Sequence, residues 1–480
     1  MSKNMVVPNL PNDVYYDKSG QKSYCVNRQI PEILKLNCNN KTPNSQYIDS
    51  REIQPIVSTK SLCRIKLPKV GFMNNTAKLL VGISWGNSTP SDRYFLPPTI
   101  GINSIVKKIS FMAGGTELFF LNSFDEFKAF EIIFQNTELL NKVGSVLHGT
   151  IGGYRNGISD AYIDAGNWNM QNKLEYDTEY ETSLSHKKVF FNESLLLFNG
   201  KEFTIDFSQL VPILSNTPLP LYLIKDDIYI NIEWNQNVYI TGFGMTNETI
   251  PLSVDPSKVS FLADFVLYDQ KVMDELAQEY KHFALPPARE YNLFTKTLTN
   301  TGNTIKSDLS LGGANRFIIG VVIMVQEVGL TSTQEYNSLQ NRYRSKAVKE
   351  NNENEFRIKI NGEELFNTPL TNTAEIAYHL TNYNNNVPCI NRSEYMEGVN
   401  LLSDLQHEKH VLSDGTAGSY GNKQYYYFMI DRATNKNGVQ LLFNRNKNAV
   451  ETGGDLLLKA YVIVAKSINC VDGHFYQAYS

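Results

Sequence analysis

The chain has 480 residues, with 45 Lys+Arg against 49 Asp+Glu for a formal net charge of -4, and 42% of it is hydrophobic. That length exceeds what one hydrophobic core usually organises, so two domains are expected. The near-neutral balance excludes a broad basic surface for nucleic acid, and the apolar fraction excludes global disorder.

Residues 1–49 alternate Pro, Asn, Gln and charges with little periodicity, and read as an arm ordered only against partners. Residues 1–8 lack the apolar core of a secretory signal, so export by that route is not expected. Strand signals follow in series: 62–67 alternates, 78–85 is mostly apolar, and 104–111 runs to Gly114-Gly115. Ser123-Phe124-Asp125-Glu126 has the capping-box pattern, so a short helix is predicted through Phe127, Phe130 and Ile133. From about 135 to 185 regularity falls away among Gly, Asn and Tyr, and a loop that long implies a binding or interlocking task.

Strands resume at 188–198 and 202–207. Pro218-Leu219-Pro220 then leads into predicted strands at 221–224 and 228–234. In the last, Ile228, Ile230, Ile232 and Trp234 point one way and Tyr229, Asn231 and Glu233 the other, as in a half-buried strand. Another strand is predicted at 259–268. Val272, Met273, Leu276, Ala277, Tyr280 and Phe283 then recur at helical spacing until Pro286-Pro287. In the second half, 316–326 reads as a fully apolar strand, and 356–360 alternates into the hairpin signal Asn361-Gly362. Residues 425–430 and 456–465 are further strands, with Asn437-Gly438 as a turn. Two irregular insertions lie at about 328–354 and 381–423. The longest apolar run, 317–325, is far short of the roughly 20 residues a membrane-spanning helix needs, so a soluble chain is expected, though one that could lie against a membrane.

Chemical motifs are sparse. Cys25, Cys38, Cys63, Cys389 and Cys470 form no CxxC pair, which leaves reduced thiols as the plain reading. The sequons Asn87-Ser88-Thr89 and Asn192-Glu193-Ser194 read as chance in an Asn-rich chain. His407-Glu408-Lys409-His410 has i, i+3 histidines where a zinc-protease helix needs i, i+4, and reads as a solvated loop. Ala417-Gly418-Ser419-Tyr420-Gly421 lacks the strand-to-helix setting of a nucleophile elbow. His148-Gly149-Thr150-Ile151-Gly152-Gly153 lacks the Gly-Lys-Ser/Thr ending of a phosphate loop and reads as a surface loop. Asp226-Asp227 could pair as a glycosidase acid and base, although spacing alone fixes no separation. Tyr425-Tyr426-Tyr427 suits core packing better than base stacking. No catalytic, cofactor-binding or metal-ligating residue is assigned, and no enzyme activity is expected.

Two β-rich halves with a helix between them resemble the double jelly-roll major capsid proteins of large DNA viruses, virophages and polinton-like viruses. Four segments carry the likeness. They are Pro218-Leu219-Pro220-Leu221 through Asn231-Ile232-Glu233; 261–269 with the helix to Phe283; Asn315 to Val322 with 358–366; and 437–444 with 457–469. The linker has Val272-Met273-Asp274-Glu275-Leu276 where large-virus members carry an Arg-rich run, so the likeness leans to a virophage or polinton-like virus. It implies an all-β fold: an arm at 1–49, a jelly roll of eight strands at 50–268, a helical linker at 269–290 and a second jelly roll at 291–480. It further implies a homotrimer forming a pseudo-hexagonal capsomer of an icosahedral virion, assembled in the host cytoplasm or viral factory. Implied partners are copies of itself, minor capsid and penton proteins and, through the arm, an internal membrane; no specific nucleic acid and no cofactor are expected. The loops at 135–185, 328–354 and 381–423 would form the outward tower and intersubunit clasps. Alternatives are a poxvirus-type membrane scaffold of the same fold and a carbohydrate-active β-sandwich protein.

Overall fold

The computed structural model describes residues 14–16, 22–24, 47–74, 76–85, 93–94, 96, 100–132, 144–149, 200–206, 218–236, 238–243, 249–279, 281–285, 288–299, 304–328, 354–366, 426–446 and 455–479. Two sandwiches follow one another along the chain. The first uses β1 (Tyr47–Ile53), β2 (Leu62–Lys66), β3 (Lys78–Trp85), β4 (Val106–Ala113), β5 (Thr116–Asn122), β6 (Glu202–Asp206), β7 (Ile228–Trp234) and β8 (Thr249–Leu267). The second uses β9 (Ala288–Leu298), β10 (Thr304–Gly312), β11 (Phe317–Glu327), β12 (Asn354–Ile360), β13 (Glu363–Glu364), β14 (Tyr426–Ala433), β15 (Val439–Asn446) and β16 (Leu456–Val471).

Their strand orders coincide. The first sandwich pairs β6-β3-β8-β1 in one sheet and β5-β4-β7-β2 in the other. Adding eight to each number gives the second: β14-β11-β16-β9 and β13-β12-β15-β10. All these pairings are antiparallel, and the eight strands form a jelly roll in each sandwich; among the described residues the first also carries the strands Val57–Ser58, Phe72–Met73, Arg93–Tyr94 and Val238–Phe243 on its sheets. The long sequence insertions fall at matching points of the two units: β5 to β6 and β13 to β14, with a further one between β11 and β12.

Strand β7 shows why these residues make a sandwich. Its burial alternates residue by residue, with Ile228, Ile230, Ile232 and Trp234 inward. Ile230 lies opposite Ile65 on β2 and Phe111 on β4, and Ile232 lies opposite Cys63 and Ile109. Leu79, Val81, Ile83, Phe261 and Phe265 of the facing sheet close the core. In the second sandwich Phe356 on β12 meets Tyr426 on β14 with ring centroids 4.4 Å apart. Tyr426 and Tyr427 are both buried, in line with the packing reading of that run. The Asn361-Gly362 turn joins β12 to β13 with φ of 59° and 91°, the left-handed conformations that a two-residue hairpin requires.

Several expectations need correction. Residues 221–224 do not form a strand: Leu221–Leu223 is a 3-10 turn, with the Leu223 amide donating to the Pro220 carbonyl. Pro218 and Pro220 have no N–H to give a ladder, so the chain folds back after a single bridge from Leu219 to Met73. Residues 101–105 are likewise a 3-10 turn, and β4 starts only at Val106. Helix α3 (Gln270–Glu279; α1 and α2 are Phe124–Ile132 and Ser145–His148) stops short of Phe283. Phe283 instead sits in the short strand His282–Ala284, which pairs with the far end of β16. The arm is not featureless: Val14–Tyr16 pairs with Lys22–Tyr24, and β1 begins at Tyr47. Strands β9 and β10, and β17 (His474–Tyr479), carry no periodic signal strong enough to have been predicted.

Candidate functional site: the seam between the two sandwiches

In the β14-β11-β16-β9 sheet, the two central strands are buried on both faces over part of their length. Every residue of β11 from Val321 to Gln326 is buried, and so is every residue of β16 from Ala460 to Val464. One face covers the second core; the other meets the first sandwich through α1 and β5. Double burial explains why 317–325 is continuously apolar rather than alternating.

Helix α1 is the main contact. The Phe127 ring packs edge-on against Tyr291 of β9 at 4.7 Å and Tyr461 of β16 at 5.0 Å, and Phe119 of β5 reaches Tyr291 at 6.0 Å. Such pairs contribute about 0.5–1.5 kcal/mol each beyond their buried area. The Tyr461 hydroxyl donates to the Ser123 carbonyl at 3.1 Å. Burial pushes the Tyr291 hydroxyl pKa well up, and that of Tyr427 up to about 12, so both phenols stay neutral.

Two buried ion pairs accompany the rings. Both carboxylate oxygens of Glu126 accept the Lys459 ammonium at 2.6 Å, with side chains 1% and 13% exposed. Lys466 of β16, 1% exposed, lies 3.7 Å from Glu290. Burial holds its ammonium below the ordinary lysine range, and Glu290 and then Glu117 of the first sandwich offset part of that. The sequence reading sent Glu126 back to its own helix start. The structure sends its carboxylate across the seam, while the Ser123 carbonyl accepts the Phe127 amide with Ser123 at φ 50°.

The far end of the seam is a hairpin. Beyond the part of β16 that pairs with β11, the strand turns at Asp472-Gly473 into β17. The Gly473 carbonyl accepts the Lys225 amide at 2.8 Å, and Asp226 receives His474 Nδ1 at 2.8 Å and the Phe475 amide at 3.0 Å. Gln477 donates to the Glu117 carbonyl. Helix α3 seats Met273 and Leu276 on Phe72 of the first sandwich, ringed by Tyr222 and Tyr268.

Each candidate from the sequence has a place in this frame or lies outside it. Asp226 binds the hairpin, whereas Asp227 is held by Lys66 at 2.7 Å and Lys69 at 3.2 Å. Hydrogen bonds from those lysines keep the Asp227 carboxyl below the usual carboxylate range, the reverse of what a glycosidase acid needs. His148 ends α2 with Nδ1 2.5 Å from the Thr204 carbonyl, and burial lowers its pKa; Gly149 is packed beneath Leu96 and Phe203. Part of the 135–185 segment is thus built against β6 rather than being loop. Cys63 and Cys470 are buried free thiols, pushed by burial up to about 12 and about 11. Among the described residues no cluster of His, Cys, Asp or Glu is placed to hold a metal, and no helix is long and apolar enough to cross a membrane. The 407–410 and 417–421 motifs, residues 150–153, Asn87, Asn192, Tyr425, Cys25, Cys38, Cys389, the strand expected at 188–198 and nearly all of the insertions at 328–354 and 381–423 lie outside the described residues. The seam residues Glu126, Tyr291, Lys459 and Gly473 were missed as functional. Their available signal was a lysine inside an apolar strand and an Asp-Gly pair near the end of the chain.

A two-sandwich chain with one order of main strands used twice defines the double jelly-roll class. No protein-family model matches the sequence, and no curated protein matches it. Solved structures do. The cryo-EM structure of the Sputnik virophage contains a chain similar over 95% of this one and 94% of its own length, at 9% identity and a TM-score of 0.53. The mavirus major capsid protein is similar over 90% of each chain, at 10% identity and a TM-score of 0.51. The chain has the fold of these proteins.

Proposed function

We propose that this protein is a major capsid protein whose homotrimer forms a pseudo-hexagonal capsomer of an icosahedral viral shell. The observation that carries the reading is the repetition of one order of eight main strands within one chain. Two equivalent bricks held in fixed relation give three subunits six similar lobes, the shape that tiles a flat facet. The likeness to the mavirus major capsid protein along nearly the whole chain supports it. In this reading the lobes are those expected at 50–268 and 291–480, widened to begin at β1 (Tyr47) and β9 (Ala288), with the helical linker between them and the residues before Tyr47 an arm for contacts beneath the shell. The role is mechanical rather than catalytic, and the working surfaces are those that meet other copies and minor capsid proteins. Apolar and aromatic burial would hold the trimer, with more polar contacts between capsomers. The mass in solution tests this. A particle near three times 54.5 kDa is expected, and a monomer at all concentrations would overturn it.

A further inference from the structure

The two ends of the seam differ in their access to water. Phe127, Tyr291 and Tyr461 are buried, and the Glu126–Lys459 pair is nearly closed off, at 1% and 13% exposed. At the hairpin end His474 is 49% exposed and its partner Asp226 21%. Contacts there run through the turn. The amides of Lys225 and Asp226 donate to the Gly473 carbonyl at 2.8 and 3.4 Å, and Asp226 accepts His474 Nδ1 and the Phe475 amide. The turn admits only glycine: Gly473 has φ +86°, and a Cβ there would stand 2.8 Å from the Leu223 carbonyl oxygen and 3.0 Å from the Lys225 nitrogen.

We propose that the Asp472-Gly473 hairpin is a proton-operated latch on the open end of the seam, firm while His474 is an imidazolium and loosened when it is neutral. Asp226 is the acceptor in both states, but a bond from imidazolium to carboxylate is about twice as strong as a neutral one. Histidine is the side chain that changes charge between about pH 5 and 8. The groups around it are Asp472 and Cys470 on its own hairpin, His282 across Val471, Lys281, and Lys225 and Asp227 on the first sandwich. The Cys470 thiol, pushed up to about 11, stays neutral throughout this interval. Among the described residues His282 is the neighbour of the same chemical type, and it supplies the control. The latch acts within one chain and does not depend on the capsid reading.

Amide hydrogen exchange of the full chain, corrected for intrinsic rates, tests this. Protection of the 223–226 and 472–476 segments is expected to fall about fivefold between about pH 5.5 and 8, as one charge-assisted bond weakens to a neutral one. Segment 460–464 at the dry end should hold constant and serve as the reference. His474→Gln should give a flat, weaker profile, His282→Gln should keep the fall, and Gly473→Ala should lose protection at both pH values. A flat wild-type profile, or a fall that persists in His474→Gln, overturns the proposal. If His474→Gln does not fold, the wild-type profile set against His282→Gln still decides: a fall that vanishes in His282→Gln assigns the effect to the wrong histidine.

Discussion

Lys459 and Glu126 are an apt pair for measuring what fixes the two sandwiches to each other. Burying both charges costs desolvation that their attraction only partly offsets, so such a pair specifies register more than it adds stability. Lys459→Met leaves the Glu126 carboxylate buried without its cation, and a loss of about 3–5 kcal/mol in urea unfolding is expected. The double variant Lys459→Met/Glu126→Leu should recover most of that loss, and a single variant within about 1 kcal/mol of wild type would show the pair to be idle. Acid has a separate effect, through exposed carboxylates. Hydrogen bonds from Ser50 and Thr76 hold the Asp264 carboxyl below its ordinary value, and the Lys66 and Lys69 bonds do the same for Asp227. Both folded values are depressed, so the stabilisation is fully present above the ordinary value of 3.8 and is lost as pH falls through the folded ones. Asp264→Asn should therefore flatten the acid limb of the stability profile, while leaving the His474 interval untouched.

Strands β7 and β11 show what an amino-acid pattern can and cannot reveal about an element. In β7 the alternation is visible in the sequence because one face is core and the other is only partly covered. In β11 the alternation is absent, and from sequence alone that says only that both faces are covered, not by what. In the neighbouring strand β16, α1 supplies cover through contacts between residues more than 300 positions apart, such as Glu126 with Lys459 and Phe127 with Tyr461. No local signal encodes such a contact, which is why Lys459 passed as an ordinary strand residue. The same limit applies to 221–224, where an apolar run looked like a strand and flanking prolines overrode it. Alanine substitutions read the difference out. In β7, Ile230→Ala should cost about 2–5 kcal/mol and Tyr229→Ala much less, since only one parity is buried. In β11, Val321→Ala and Val322→Ala should both destabilise by similar amounts, each roughly 1–3 kcal/mol, despite facing opposite ways. Denaturant titration of the four variants checks this, and a parity effect in β11 would contradict the two-sided burial.

At the scale of the whole molecule, the two sandwiches keep one strand order while their insertions diverge, which separates what folds the lobes from what joins them to other copies. All the core strands lie outside the long β5–β6 insertion, but part of that insertion does not: α2 and Gly149 pack on β6 and Leu96. Deleting 135–185 outright would therefore injure the first lobe and confuse folding with assembly. Deleting 150–185, with a short Gly/Ser bridge, leaves every described contact of that lobe in place. If the insertion clasps neighbouring subunits, the shortened chain should unfold at nearly the wild-type denaturant midpoint, yet its trimer should dissociate at a concentration at least about tenfold higher, a loss of about 1.4 kcal/mol or more. Sedimentation across a dilution series measures the second quantity and urea titration the first. A lowered midpoint would place 150–185 in the fold of the lobe, and an unchanged trimer would move the clasp to another insertion. Two lobes that share the order of their eight main strands can differ in how they bind their neighbours only through their surfaces, the strands added to their sheets and the segments between strands.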